Sequence, residues 1–342
     1  MNKVEYIFSH GTVNCLFDEQ FNETSIGCNK EQVIVITDDH VLNLHAEKLE
    51  GFRVISIKPG EHNKTQATVD DIIRQLLKME AGKETMIIGM GGGVVTDIAG
   101  YVSSVYKRGT RLGLVPTTIL GMVDAAIGGK NGVDVGIYKN MVGTVYQPGF
   151  ILFDYSFLQT LPVDEWINGF AEIIKHACIK DKLLFYMLEK YTLQEIKATS
   201  TLLASLIEQN VALKMTIVTE DEFEKADRKL LNFGHTIGHA IENLHQLPHG
   251  HAVSIGMVAA CNLSEKINGL HFTEAQKVVK LLTRYHLPVD IETDYNKVFE
   301  ILKLDKKREA GMMQFVLLNS IGNAEAKPVT MDYLRDNLLN II

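Results

Sequence analysis

The chain has 342 residues and a mass of 38.2 kDa, which is long for one hydrophobic core and predicts two domains. Apolar residues make up 46% and charged residues 22%, a composition that excludes a disordered chain. No run of about 18 apolar residues occurs, so we expect no transmembrane helix. The net charge of −8 argues against a general nucleic-acid binder, which needs a basic face.

The cysteines and the first residues indicate the compartment. Cys15, Cys28, Cys178 and Cys261 are scattered without a Cys-x-x-Cys pair, as expected for reduced thiols. The segment Met1–Tyr6 lacks the apolar core of a signal peptide. We therefore expect a cytoplasmic protein.

The first half of the chain alternates strand-like and helix-like segments. Continuous β-branched or apolar runs predict buried parallel strands, and helical spacing of apolar residues separates them. The predicted strands are 33–38, 52–57, 85–88 and 111–116, and the predicted helices are 69–80 and 96–105. Strands separated by helices indicate βαβ units and a Rossmann-like parallel sheet.

The second half is mainly helical. From Asp164 onward apolar residues recur at helical spacing, and a strand-like run returns only at 313–318. We predict an NAD-binding α/β domain over 1–161 and a mainly α-helical metal- and substrate-binding domain over 162–342. The active site is expected in the cleft between them.

A glycine-rich turn follows the third predicted strand. The run Gly89–Val94 precedes a helix, the context in which glycines let a backbone approach a pyrophosphate. Val94 stands where the last glycine of G-x-G-x-x-G belongs, and no acid lies about 20 residues downstream. Asp38 could supply the ribose contact instead. The motif favours dinucleotide binding over a plain tight turn.

Histidines cluster in one window of the second half and indicate a metal site. Glu172 could add an oxygen ligand, or could instead form an internal ion pair with Lys175 or His176. Because His235 and His239 are four residues apart on a predicted helix, spacing alone leaves several pairings of ligands open. The clustered residues are His235, His239, His245, His249 and His251.

Several cations lie near glycines and suggest an anion site. A cation beside glycines can act together with backbone N–H groups on a phosphate. These residues are Lys107 and Arg108, Lys130 after two glycines, Lys139 beside Asn140, and, later in the chain, Lys214, Arg228, Lys306 and Lys307. A phosphorylated substrate, a nicotinamide cofactor and a metal together suggest alcohol oxidation coupled to phosphate chemistry.

These motifs closely resemble those of the 3-dehydroquinate synthase family, in order from about Asp38 to Gly322. The matching segments are Gly91–Asp97, Val115–Thr118, Met122–Asp124, Gly128–Lys130, Lys139–Asn140, Ala171–Lys175, Leu231–Ala240 and His249–Gly250. Asn131, Tyr138, Ala226 and His251 depart from the family pattern, and His251 stays a rival metal ligand.

The resemblance implies a homodimeric lyase of the shikimate pathway. Such an enzyme converts 3-deoxy-D-arabino-heptulosonate 7-phosphate into 3-dehydroquinate and phosphate by transient oxidation, phosphate elimination, re-reduction and aldol closure. It uses NAD and a divalent metal, Zn²⁺ or Co²⁺. The alternatives are a sister cyclase that makes 2-deoxy-scyllo-inosose or 2-epi-5-epi-valiolone, and a glycerol dehydrogenase-type alcohol dehydrogenase. An NAD-binding module without catalysis is the alternative of a different class.

The resemblance also implies roles for individual residues. The metal ligands would be Glu172, His235 and His249. The residues around NAD would be Asp38, Glu61, Lys64, Gly92, Gly93, Val94, Asp97, Thr117, Thr118, Asp124, Lys130, Lys139 and Thr160. The substrate would contact Lys130, Asn140, Lys175, Lys214, Arg228, Asn232, His239 and one of Lys306 and Lys307, with Arg108 reaching the phosphate in the neighbouring subunit.

Overall fold

The computed structural model describes residues 2–136, 138–303, 308–309 and 311–342. Contacts group them into two compact units. The first unit holds the described residues up to Trp166 together with Ala204–Phe223, and the second holds Ile167–Leu203 and the described residues from Glu224 onward. The predicted division between residues 161 and 162 stays a prediction. It places residues 204–223 in the second domain, whereas the contacts group them with the first unit.

The first part of the chain is rich in strands. Its strands and helices are β1 (Asn2–Phe8), β2 (Gly11–Phe17), α1 (Glu23–Ile26), β3 (Val33–Asp38), α2 (Asp39–Leu44), β4 (Arg53–Ile57), α3 (Gln66–Lys78), β5 (Met86–Gly91), α4 (Gly93–Val105), β6 (Arg111–Pro116), β7 (Lys130–Val135), β8 (Tyr138–Val145) and β9 (Phe150–Phe153).

The later part is mostly helical. Its helices and strands are α5 (Val163–Lys180), α6 (Lys182–Lys190), α7 (Leu193–Ala198), α8 (Ser200–Glu220), α9 (His235–His245), α10 (His249–Asn268), α11 (Phe272–Arg284), α12 (Tyr295–Leu302), β10 (Arg308–Glu309), β11 (Met312–Ser320), β12 (Asn323–Thr330) and α13 (Met331–Asn337). No helix among the described residues combines the length and hydropathy that crossing a membrane requires.

A seven-stranded sheet forms the core of the first unit, in the order β1-β2-β9-β6-β5-β3-β4. Only β1 and β2 pair antiparallel, so the prediction of a mainly parallel, Rossmann-like sheet is confirmed. All six residues of β5 are buried, as expected for a strand covered on both faces. The carboxyl ends of β3, β5 and β6 therefore lie along one edge, where α/β sheets bind ligands.

Glycine fixes the close packing of β5 on α4. A Cβ added at Gly89 would lie 2.6 Å from the Cβ of Ala99, and one added at Gly91 would lie 2.6 Å from the Cβ of Val95. Side chains at these two positions would push the helix off the strand. With glycine at both positions, the turn that joins β5 to α4 holds the first residues of α4 close to the end of β5.

The second unit is built mainly from helices, as predicted for the later part of the chain. Its apolar core includes residues of α9, α10 and α12 and of the strands β11 and β12. These strands pair antiparallel beside α10, and β11 matches the strand-like run recognised at 313–318. The prediction of a mainly helical C-terminal region is therefore confirmed.

Candidate functional site

The second unit brings the predicted metal ligands together. Glu172 lies on α5, His235 is the first residue of α9, and His249 is the first residue of α10. The Oε1 atom of Glu172 lies 3.6 Å from Nε2 of His235 and 3.5 Å from Nε2 of His249. Each of the three residues offers one ligand atom, and these three atoms all lie within 4.8 Å of one another.

Glycines allow the helix contacts that place these donors. A Cβ added at Gly256 of α10 would lie 1.9 Å from the carbonyl oxygen of Gly234, which directly precedes α9. A Cβ added at Gly250 would lie 2.0 Å from the carbonyl oxygen of Asn168 on α5. The Asn168 side chain also accepts a hydrogen bond of 2.6 Å from the Gly250 N–H. The start of α10 is thereby fixed against α5 and close to α9.

The donor set fits a divalent transition metal. Tetrahedral zinc bonds of about 2.1 Å place neighbouring donor atoms about 3.4 Å apart, close to the observed Glu172–histidine separations. The other ring nitrogens also have acceptors: Nδ1 of His235 lies 3.1 Å from the carbonyl of Phe233, and Nδ1 of His249 lies 3.5 Å from Glu242. Such partners leave each Nε2 available as the ligand.

Electrostatics at this cluster favour a cation. Glu172 is fully buried and contacts Lys175, so the ion pair weighed against a metal ligand is also present. Burial alone would lower the pKa of His249, but Glu172 and Glu242 outweigh it and raise that pKa to about 10. The cluster therefore attracts positive charge, which a proton or a metal ion can supply.

The remaining histidines of the window have different surroundings. The ring of His239 lies 5.2 Å from that of His235, and with Glu242 and His249 it forms a second group able to hold a cation. His245 hydrogen-bonds Thr293. His251, the rival ligand, belongs to none of the candidate metal-ligand groups found among the described residues.

Two predicted substrate residues of the second unit lie in one turn. Arg228 is buried within the 3₁₀ turn Asp227–Asn232, and Asn232 donates a hydrogen bond of 2.8 Å to Glu224. Glu224 has a left-handed backbone, with φ of 57°. The last predicted substrate cation, Lys306 or Lys307, lies outside the described residues.

The first unit gathers several predicted cofactor residues around Lys64. Its Nζ lies 2.6 Å from Asp97, donates a hydrogen bond of 2.6 Å to Asn140, and lies 3.9 Å from Glu61. Burial alone would lower the pKa of Lys64, but Asp97 and Glu61 outweigh it and raise that pKa. The lysine therefore stays charged in this cluster. Burial raises the pKa of the neighbouring Glu61, although Lys64 and Lys139 act against it.

The glycine turn lies beside the end of β6. Gly92 precedes α4, and no side chain caps the helix there, while Gly93 and Val94 begin the helix. Thr117 donates its N–H to the carbonyl of Gly91 at 3.0 Å. A Cβ added at Gly92 would lie 3.2 Å from Thr118, whose hydroxyl accepts the N–H of Gly121. Main-chain N–H groups, threonine hydroxyls and glycine backbone thus meet at the carboxyl edge of the sheet.

A second ion pair in the first unit joins the buried Lys214 to the half-buried Asp124. The Lys214 Nζ lies 2.7 Å from the Asp124 carboxylate and donates to its carbonyl oxygen at 2.7 Å. Lys130 begins β7 with an exposed side chain. The other predicted cofactor residues make local contacts: Asp38 caps α2 through Val41, and Thr160 hydrogen-bonds His45.

Arg108 lies in a turn with unusual backbone. Lys107 and Arg108 have φ of 52° and 59°, and the next residue, Gly109, has φ of 110°. Two consecutive non-glycine residues in the left-handed region carry a conformational cost. Both side chains are exposed.

Sequence reasoning missed two acids near predicted site residues. Glu242, seven residues after His235 on α9, contacts His249, and Glu224 contacts Asn232. The spacing 235, 239, 242 along one helix face could have indicated the first. No comparable signal marks Glu224, whose contact depends on a turn.

Comparisons with known proteins agree with one another over most of the chain. Family models described as 3-dehydroquinate synthase N-terminal and C-terminal match residues 54–168 and 169–308. A 3-dehydroquinate synthase of Pyrococcus abyssi is 40% identical over 315 residues, covering 90% of this chain and 92% of the relative.

Two solved structures share the fold. A 2-epi-5-epi-valiolone synthase of Streptomyces hygroscopicus, with NAD⁺ and Zn²⁺ bound, has a TM-score of 0.87 and 28% identity, covering 100% of this chain and 98% of its own. A 2-deoxy-scyllo-inosose synthase complexed with carbaglucose-6-phosphate, NAD⁺ and Co²⁺ has a TM-score of 0.86 and 24% identity, covering 100% of both chains. The family models and the Pyrococcus relative show that the chain belongs to the 3-dehydroquinate synthase family.

Proposed function

We propose that this chain is a carbon–oxygen lyase that converts 3-deoxy-D-arabino-heptulosonate 7-phosphate into 3-dehydroquinate and phosphate. Its synthase relatives support this activity over a sister cyclase. The observation that carries the proposal is the convergence of Glu172, His235 and His249 in a chain of this family. An NAD-binding protein without catalysis has no need of such a buried donor set.

NAD is the proposed cofactor of the first unit. Support comes from the glycine turn at the end of β5 and from NAD⁺ bound to the related valiolone synthase. The charged Lys64 cluster and the Thr117–Thr118 turn supply polar groups for ribose and phosphate oxygens. The full proposed set is Asp38, Glu61, Lys64, Gly92, Gly93, Val94, Asp97, Thr117, Thr118, Asp124, Lys130, Lys139 and Thr160.

Zn²⁺ or Co²⁺ is the proposed metal, held by Glu172, His235 and His249. When bound, such an ion acts as a Lewis acid toward a substrate oxygen. The chain contributes a buried carboxylate and two oriented imidazoles, so that the donor geometry exists before substrate arrives. Lys175, in contact with Glu172, restrains that carboxylate.

The proposed substrate residues differ in chemistry between the units. In the first unit, Lys130, Asn140, Lys214 and the exposed Arg108 would bind and orient the phosphate and hydroxyl groups. In the second unit, Lys175, Arg228, Asn232, His239 and one of Lys306 and Lys307 would bind the carboxylate and hydroxyls. Multiple charged hydrogen bonds to one small substrate favour catalysis by positioning, with the departing phosphate itself available as a base.

A homodimer is proposed because β8 exposes apolar side chains that a single copy leaves uncovered. Met141, Val142 and Val145 are each at least 40% exposed, and Lys139 is the one charged residue of this strand. A strand with several exposed apolar residues and a single charge can face a second copy of itself with little charge repulsion. In such a dimer Arg108 would act in the partner's site. Its side chain is exposed on a strained turn, so it is open to a second copy.

Mixing two inactive variants tests the dimer and the role of Arg108 together. In random hybrids of Arg108→Ala and Glu172→Gln, about a quarter of the sites receive intact residues if Arg108 acts in the partner. Activity should therefore recover to about that fraction. No recovery in hybrids proven to form would place Arg108 in its own subunit's site.

A cytoplasmic location is proposed from the thiols. Cys15, Cys178 and Cys261 are buried and free, and burial raises the pKa of Cys15 to about 12. Such thiols remain protonated and unreactive in a reducing compartment.

A substrate panel tests the reaction itself. Purified protein with NAD and Co²⁺ is offered 3-deoxy-D-arabino-heptulosonate 7-phosphate, glucose 6-phosphate or sedoheptulose 7-phosphate, and products are identified by NMR. We expect 3-dehydroquinate from the first substrate and no cyclised product from the others. Cyclisation of either other sugar phosphate in place of the first would assign the chain to a sister activity.

A further inference from the structure

The second carboxylate beside His249 has no place in the residue roles described above. Glu242 is 5% exposed, and its Oε2 lies 3.5 Å from Nδ1 of His249. The opposite ring nitrogen, Nε2, lies 3.5 Å from Glu172. The imidazole of His249 thus has a carboxylate at each nitrogen, whereas Nδ1 of His235 faces the neutral carbonyl of Phe233.

The balance of charges around the metal cluster indicates a role for Glu242. A dication at the cluster faces the negative Glu172, but Lys175 contacts Glu172 and offsets its charge. Those two side chains alone present no net charge to the metal. Glu242 restores one negative charge within reach of His249, where burial keeps water from screening it.

Helix geometry keeps Glu242 in this position. Residues 235, 239 and 242 recur at spacings of four and three on α9, so they share one face. That face meets the first turn of α10, where His249 lies. The carboxylate therefore reaches Nδ1 from the same helix that supplies the other histidine.

We propose that Glu242 is a positioning residue for the metal site, accepting a hydrogen bond from Nδ1 of His249 and supplying the negative charge that Lys175 removes from Glu172. This inference rests on the proposed metal site. Outer carboxylates of this kind fix the ring orientation of the ligand and increase its basicity. The role differs from direct coordination, for which Glu242, His239 and His249 form a candidate group.

Metal affinity and the visible spectrum of the Co²⁺-loaded protein test this role without any activity assay. Glu242→Gln keeps an oxygen acceptor for Nδ1 but removes the charge. We expect its Co²⁺ affinity, measured by competition with a chelating dye, to fall about 10- to 100-fold. Its Co²⁺ absorption bands should match those of the unsubstituted protein, because the ligands are unchanged.

Four further variants make the result specific. Glu265→Gln, at a half-buried carboxylate farther along α10, should keep full affinity. Glu242→Asp should recover more affinity than Glu242→Ala if charge at Nδ1 is the cause. Glu172→Gln should lose binding or change the bands, as expected for a ligand.

Each contrary outcome is distinct. Affinity of Glu242→Gln within about twofold of the unsubstituted protein would overturn the positioning role. Altered Co²⁺ bands in Glu242→Gln would make Glu242 a ligand and overturn it as well. If the unsubstituted protein bound no Co²⁺ at all, the proposed metal site itself would fail.

Discussion

The candidate site residues of the first unit lie partly in turns that follow parallel strands and partly on the helices α4 and α8, whereas the metal donors of the second unit all lie on helices. In the first, cations and carboxylates neutralise one another, as in the pairs Lys64–Asp97 and Lys214–Asp124. In the second, Glu172 and Glu242 flank His249 and leave an excess of negative charge. Clusters with balanced charge suit a cofactor bound through hydrogen bonds. Histidines flanked by two carboxylates suit a metal ion instead.

The largest effect is expected from removing the charge of the metal cluster. Glu172→Gln should abolish metal binding, and loss of several kcal/mol of charge stabilisation corresponds to a fall in kcat of about 1,000-fold. Bound metal is measured by elemental analysis and turnover by phosphate release, with Glu265→Gln as the matched control. Normal metal content and full activity in Glu172→Gln would remove Glu172 from the ligand set.

Removing the charge of Lys64 in the first unit should lower the free energy of unfolding. Lys64→Met leaves Asp97 without its cation, and a broken buried pair costs about 3 kcal/mol of the free energy of unfolding. Urea denaturation measures the loss. The double variant Lys64→Met with Asp97→Leu should recover most of it, and failure to recover would show that the lysine contributes mainly through other contacts.

Ligands should protect different elements from hydrogen exchange. Zinc at about 100 times its dissociation constant stabilises the binding-competent state by about 2.7 kcal/mol, so amides of α5, α9 and α10 should exchange more slowly. NAD should instead slow hydrogen exchange of the amides in the turn from β5 into α4. Equal protection of both regions by zinc alone would contradict the separation of roles between the two units.

The smallest effect concerns a carboxylate of the first unit outside both sites. Burial would raise the pKa of Glu222, but hydrogen bonds from Ser9 and Gln147 outweigh it and lower that pKa below its ordinary value. Its stabilisation is therefore present at neutral pH and is lost as the pH falls through the lowered pKa.

The variant Glu222→Gln isolates this contribution. It should lose about 1 kcal/mol of the free energy of unfolding near neutral pH, and the difference from the unsubstituted protein should shrink in acid. Urea denaturation over a pH series measures both. A difference that stays constant with pH would exclude ionisation of Glu222 as its source.

The sequence predicted the first unit's sheet best where strands are continuous and buried. The runs at 33–38 and 111–116 form β3 and β6, because continuous β-branched or apolar residues suit a strand covered on both faces. The hairpin of β7 and β8 was not predicted, since β8 is exposed along most of its length and shows no alternation. The pairing of β1, β2 and β9 depends on distant partners, which local patterns do not specify.

The histidine window shows why the site could be predicted only in part. Spacing places His235 and His239 on one helix face but leaves His249 and His251 open as partners of either one. The resemblance selected His249, and the structure places it beside Glu172 through the close contact of Gly250 with Asn168. Such a contact between α10 and α5 has no local signature, so the residues alone could not determine it.

Phosphate release from 3-deoxy-D-arabino-heptulosonate 7-phosphate tests the central claim most directly. Purified protein is assayed with NAD and either zinc or EDTA, while absorbance follows NADH. We predict release that requires the metal and yields 3-dehydroquinate without net accumulation of NADH. No release by protein shown to hold both zinc and NAD would contradict the proposed synthase activity.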